Sequence, residues 1–227
     1  MPQSTLITPT PDLACSVDWW ARAGMVPIAS HRDGVRVLGA GKLVVEVDPD
    51  HKARTALALY GGKAMDASRK VPTHELADGR VVTQSPAGVR VVFSPHAGPG
   101  VGDAEAPLFG AFVGLSMETL FVEDERRFWT ALGYKVNGGS LEYGYVELVH
   151  DLWMPVSALS ALACPHLFPN PGLTFFNGAN NVAILRRATE AGFTPLQSVD
   201  WLGESGIVDN AIYQDPGGLG LFVYSDG

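Results

Sequence analysis

At 227 residues, with 46% hydrophobic and 18% charged residues, the chain holds enough apolar material for one large or two small packed cores, and its balance is opposite to that of a disordered protein. Its formal net charge of −8, from 24 acidic against 16 basic residues without a Lys/Arg run, argues against nucleic acid as a partner. No stretch approaches the ~18–20 continuous apolar residues of a membrane helix, and the first residues lack the order of a secretion signal. No membrane partner and a cytoplasmic location are therefore expected.

In chain order, Ser4 to Thr8 reads as a strand, and Ser16 to Met25 as a helix presenting Val17, Trp20 and Ala21 on one face. Gly24 stands where a left-handed cap ends that helix. Strand-like runs follow at Val35–Leu38 and Leu43–Val47. A weak helix falls near Ala64–Lys70, and the Pro-x-Gly turn in Ser85-Pro86-Ala87-Gly88 leads into the apolar run ending at Phe93.

The order then recurs. Phe112–Met117 reads as a strand, and residues 125–134 repeat the aromatic pair and the closing glycine as Phe128, Trp129 and Gly133. Tyr134–Val136 and Tyr143–Val149 have strand composition, and Val182–Phe193 has helical spacing in Val182, Leu185, Ala188 and Thr189, ended by Gly192. Asp215-Pro216-Gly217-Gly218 is a second Pro-x-Gly turn before a final strand. Strand, helix and three strands thus occur about four times. A single module of roughly 50 residues buries too little surface to stand alone, so modules are expected to pair. Residues 1–96 and 109–227 would form the two domains, and the Gly/Pro/Ala-rich segment 97–108 the linker.

The run Phe128-Trp129-Thr130-Ala131-Leu132-Gly133-Tyr134 and the turn Asp215-Pro216-Gly217-Gly218 resemble recurring elements of the vicinal-oxygen-chelate (glyoxalase/bleomycin-resistance/dioxygenase) superfamily. The C-terminal half is similar to two-domain bacterial members without a well-defined activity, in the runs Cys164–Phe168, Leu173–Gly178 and Gly206–Asn210. The resemblance implies an α+β fold of four βαβββ modules, paired into two glyoxalase-like domains with curved mixed sheets. It also implies a divalent metal in each cup, held by His or Glu on a module's first strand and Glu on its last.

Carried over position by position, the metal set is absent. Thr5 and about Gly114 stand where first-strand histidines are implied, and Val89–Phe93 and Leu219–Tyr224 hold no acid or histidine. Only Glu46 and Glu147 occupy ligand-like strand positions. No cofactor is therefore expected; the alternative is Fe, Mn, Ni or Zn held by Glu46, Glu147 and His166. The expected function is binding of an aromatic or planar small molecule, with Glu46, His166, Asn177 and Tyr213 as candidate contacts. A metal-dependent lyase, isomerase or dioxygenase and a structural module with a filled cup are the alternatives, and a homodimer is left open. Asn177 and Asn210 also suit tight turns on backbone grounds alone. His31, His51, His74, His96 and His150 are expected at the surface, Trp19, Trp20, Phe128 and Trp129 in the core, and Cys15 and Cys164 as buried thiols.

Overall fold

The computed structural model describes residues 3–50, 53–100, 104–162, 166–199 and 208–225. The first module comprises β1 (Ser4–Pro9), α1 (Leu13–Arg22), β2 (Val26–Ile28), β3 (Arg36–Ala40) and β4 (Leu43–Asp48). The second comprises β5 (Ala56–Tyr60), α2 (Gly62–Ser68), β6 (His74–Glu75), β7 (Val81–Gln84) and β8 (Arg90–Ser94). The third runs through β9 (Phe112–Thr119), α3 (Val122–Leu132), β10 (Lys135–Ser140), β11 (Tyr145–Val149) and β12 (Val156–Ser160). The fourth holds β13 (Gly172–Phe176), α4 (Asn181–Glu190), β14 (Gln197–Val199), β15 (Asn210–Gln214) and β16 (Gly220–Tyr224). Among the described residues no helix is long and apolar enough to cross a membrane.

Each pair of modules forms one mixed eight-stranded sheet, ordered β2-β3-β4-β1-β5-β8-β7-β6 and β10-β11-β12-β9-β13-β16-β15-β14. The two modules of a sheet meet through their first strands, which pair antiparallel, Leu6 opposite Leu57 and Leu173 opposite Leu115. Within the modules at these junctions the first strand runs parallel to the last, as the crossover helix requires: Ile7 pairs with Glu46 and Ala58 with Val92.

Side-chain alternation sorts each strand between two faces. Leu6, Val45, Val47, Leu57, Leu59, Val91 and Phe93 go to the helix-covered face, as do Leu115, Met117, Leu173, Leu221 and Val223 in the second sheet, and all belong to one continuous core. The opposite faces carry two small separate clusters, Ile7, Ala56, Ala58 and Val92 in one sheet and Ile212 and Phe222 in the other. The helices therefore lie at a shared seam, and the concave faces open away from it.

Aromatic residues fill the seam. Trp19 lies 5.8 Å from Phe109 and 5.0 Å from Phe193, ring centre to ring centre, and the Arg22 guanidinium sits 5.0 Å over Phe193. The buried face of α1 is Ser16, Trp19 and Trp20, not the expected Val17, Trp20 and Ala21, because Trp19 is drawn toward the second sheet. In α4 likewise Val182 is exposed while Ile184 joins the buried face. Gly24, Gly133 and Gly192 have the expected left-handed conformation, and Gly24 is followed by the Met25 N–H bonding the Trp20 carbonyl. The segment between the sheets is anchored: the Gly41 N–H reaches the Ala104 carbonyl and the Leu108 N–H the Ala23 carbonyl, each at 2.8 Å.

Two buried carboxylates complete the seam. Asp215, in the turn before β16, accepts from the Thr8 hydroxyl (2.8 Å), the Trp20 indole (3.2 Å) and the Leu219 N–H (2.8 Å). Glu125 on α3 accepts from the Trp129 indole at 2.7 Å and from the Ala87 N–H. The Trp20–Asp215 and Ala87–Glu125 bonds each join a helix of one sheet's modules to the Pro-x-Gly turn of the other. Cys15, expected to be buried, is exposed near the start of α1, while Cys164 lies outside the described residues.

Burial raises the Glu125 carboxyl above its ordinary 4.5 despite these donors. The native state then holds a proton that the unfolded chain releases, so this group's contribution declines as pH rises from the ordinary carboxylate range through the raised native value. Denaturant unfolding of Glu125→Gln is expected to lose less stability between pH 5 and pH 8 than the wild type. An unchanged slope would contradict the assignment.

Candidate functional site

The first cup is a cavity of about 180 Å³ on the concave face of the first sheet. Its floor is apolar, with Val37, Ala58 and Val92 projecting from β3, β5 and β8. Glu46, whose partner on β1 is Ile7, points into it at 2% exposure. One carboxylate oxygen of Glu46 accepts from the Thr5 and Tyr60 hydroxyls and the other from Arg32 at 3.3 Å. Arg32, in the turn between β2 and β3, also donates to Asp48 at 2.6 Å. Burial opposes its charge, but Asp48 and Glu46 prevail and hold the guanidinium above its ordinary value. Burial, and then the Glu46 charge, push the Tyr60 phenol upward, so it stays a neutral donor.

The second cup, about 310 Å³, is differently furnished. Six rings line it: Tyr145, His166, Phe168, Phe176, Phe222 and Tyr224. Phe168 and Phe222 stand 4.5 Å apart, and the His166 ring runs within 10° of parallel to Phe168. His166 Nδ1 lies 3.0 Å from the Leu167 carbonyl, which can only accept; Nδ1 therefore carries a proton, and in the neutral ring Nε2 accepts from the Tyr224 hydroxyl at 2.9 Å. Ser116 and Thr174 bond each other at 2.6 Å on the floor. Glu147, half-buried on β11, accepts from Asn137 at 3.2 Å.

The sequence-predicted residues do not converge on one place. Glu46 belongs to the first cup, while Glu147 and His166 belong to the second. Tyr213 lines neither cup: it lies in the core on the helix-covered face, 5.0 Å from Phe109, with burial pushing its phenol up to about 12. Asn177 is also outside both. Its side chain accepts from the Ala111 N–H and donates to the Phe109 carbonyl and to Asn181, pinning the strand that enters the second sheet.

Glu46 and Glu147 are not equivalent either. Glu46 stands on a module's last strand, opposite Val37 on β3. Glu147 stands on β11, the strand before the last, opposite Ser157 on β12. Ser157 thus holds the place corresponding to Glu46. Sequence reading missed β12, the short Val-Ser-Ala-Leu-Ser run, and with it the register. It also left His31 and His96 as bare surface residues; both are exposed, but they line the mouth of the first cup beside Arg80 and Asp78.

A divalent metal does not fit these donors. Among the described residues no group of three or more His, Cys, Asp or Glu side chains is placed to hold one. In the first cup both oxygens of Glu46 are engaged, and a guanidinium already stands against it. At Gly114, where the third module's histidine was implied, an added Cβ would fall 2.6 Å from the Pro155 carbonyl oxygen. No side chain enters there without moving the backbone. In the second cup the described residues offer two such donors, Glu147 and His166, fewer than a transition-metal site uses.

No protein-family model and no curated protein matches the sequence. Solved structures do match. A Mn(II)-bound glyoxalase from Novosphingobium aromaticivorans aligns with 98% of this chain and 83% of its own at 17% identity, with a TM-score of 0.61. A variant of homoprotocatechuate 2,3-dioxygenase from B. fuscum in complex with HPCA aligns with 100% and 71% at 13% identity and a TM-score of 0.60. A variant of 4-hydroxymandelate synthase from Streptomyces coelicolor aligns with 100% and 95% at 13% identity and a TM-score of 0.57. The chain has the fold of the vicinal-oxygen-chelate superfamily, in its arrangement of four βαβββ modules as two glyoxalase-like sheets.

Removing Arg32 leaves Glu46 and Asp48 buried without their cation. Arg32→Ala is expected to cost about 2–3 kcal/mol in denaturant unfolding, below the figure for a fully dry pair because the Arg32 side chain is 31% exposed. In a Glu46→Gln background the loss should be smaller; strictly additive losses would mean that the pair is not coupled.

Proposed function

We propose that the protein binds an aromatic or planar small molecule in the second cup, without a resident divalent metal. The observation that supports this most directly is the wall of six rings around a cavity of about 310 Å³, at the lower end of the ordinary range for ligand pockets. Ring faces at this density favour a flat apolar partner, through offset or edge-on packing worth roughly 0.5–1.5 kcal/mol per pair beyond burial alone.

Polar groups would set the orientation. His166 and Tyr224 form one hydrogen-bonded edge, Ser116 and Thr174 another, and Glu147 offers a carboxylate to a donor on the ligand. Neighbours of the same fold are named for catechol and homoprotocatechuate, which is consistent with an aromatic occupant. The same neighbours are named as enzymes, so a metal-dependent lyase, isomerase or dioxygenase is the competing reading, with Glu147 and His166 as the described side chains that a metal in this cup could use.

A thermal-shift screen against aromatic metabolites tests binding: a true ligand at about 100 times its Kd stabilises by roughly 2.7 kcal/mol, and His166→Ala should weaken that response. Elemental analysis of protein purified without chelator tests the metal. Stoichiometric Fe, Mn, Ni or Zn that disappears in Glu147→Ala or His166→Ala would overturn the metal-free reading.

A further inference from the structure

The first cup has a chemistry unlike the second and is separated from it by the core. Its acids are already satisfied from within the protein. Glu46 receives Thr5, Tyr60 and Arg32; Asp48 receives Arg32 on one oxygen and the Asp50 N–H on the other. At the mouth Asp78 accepts from the Arg80 Nε at 2.8 Å and backbone N–H at 3.2 Å, with Nη2 in ion-pair contact at 2.7 Å.

The arginines are not satisfied to the same degree. A guanidinium carries five N–H groups. Arg32 uses one from each terminal nitrogen, and Arg80 donates from Nε with Nη2 in ion-pair contact with the same carboxylate. Among the described residues no other acceptor bonds either side chain, which leaves three N–H groups on Arg32 and at least three on Arg80. Both are largely withdrawn from solvent, Arg32 at 31% and Arg80 at 19% side-chain exposure. Both line the same cup, Arg32 from the turn between β2 and β3 and Arg80 from the turn between β6 and β7, and the Arg80 side chain holds the Asp78 carboxyl below its ordinary value. Ser94, His31 and His96 line the same cup and add further donor capacity. A cup with surplus donors over an apolar floor calls for a ligand that accepts hydrogen bonds at one end and is apolar at the other.

We propose that the first cup is a second binding site, for a small carboxylate with a compact apolar body, the carboxylate accepting from Arg32 and Arg80 and the body resting on Val37, Ala58 and Val92. A carboxylate matches the planar fork of a guanidinium as a point charge does not. At ~15 Å³ per water-sized position, a cavity of about 180 Å³ admits a compound on the order of ten non-hydrogen atoms, the size of benzoate. The site is independent of what the second cup holds.

Benzoate, and benzylamine as its cationic counterpart, are titrated into the full chain by calorimetry. Benzoate is expected to bind and benzylamine not. Arg80→Gln should raise the benzoate Kd at least tenfold, and Arg80→Lys, which keeps the charge without the fork, should fall between the two. Tyr224→Phe in the second cup should change it less than twofold. The proposal is overturned if benzoate does not bind at millimolar concentration, if benzylamine binds more tightly, or if Tyr224→Phe rather than Arg80→Gln removes binding. Failure here leaves the second cup's aromatic response intact, so the two readings fail separately.

Discussion

Two buried carboxylates at the seam, Asp215 and Glu125, fix how the two sheets dock. Trp20 on α1 donates to Asp215 in the second sheet's turn, and Glu125 on α3, held by Trp129 of the same helix, accepts from the Ala87 N–H in the first sheet's turn. A buried carboxylate is costly unless donors surround it, so each contact specifies one docking arrangement. The duplication is visible in its asymmetry. In one copy the acid lies on the turn and the helix supplies the donor. In the other the acid and the indole share the helix, and the turn supplies the Ala87 N–H. With the helix-covered faces locked together, the concave faces are left uncovered by helices.

Those faces have diverged. Strand alternation delivers a comparable set of inward positions to each cup, and the residues there decide the chemistry. The first cup is governed by charge: Glu46 and Asp48 are closed by Arg32, with Thr5 and Tyr60 as supporting hydroxyls. The second is governed by rings, with one histidine and one acid among them. A cation belonging to the protein stands against Glu46, and the Gly114 backbone is too close to Pro155 for any side chain. Both features work against a metal through donor chemistry and space.

Much of the fold was legible because its signals are local. The aromatic pairs followed by Gly24 and Gly133, and the two Pro-x-Gly turns, mark helix ends and strand starts through short-range backbone requirements. The sites were less legible because they depend on register across strands far apart in sequence. Overlooking β12 made Glu147 look like the counterpart of Glu46, whereas Ser157 has that place. Alternation alone left the face of Tyr213 open, and packing against Phe109 turns it into the core. Nothing local to Ser30-His31-Arg32 or to Asp78-Gly79-Arg80 announces that two turns in different modules meet over one cup. That convergence is produced by the sheet's curvature.

The most direct examination of the proposed metal-free binding in the second cup is a crystal structure of the protein with an aromatic compound selected by thermal shift. The account expects the compound's density between the rings of the second cup, in polar contact with His166 or Glu147 and with no ion beside it. Density for an ion coordinated by Glu147 or His166, or a compound seated away from those rings, would contradict it.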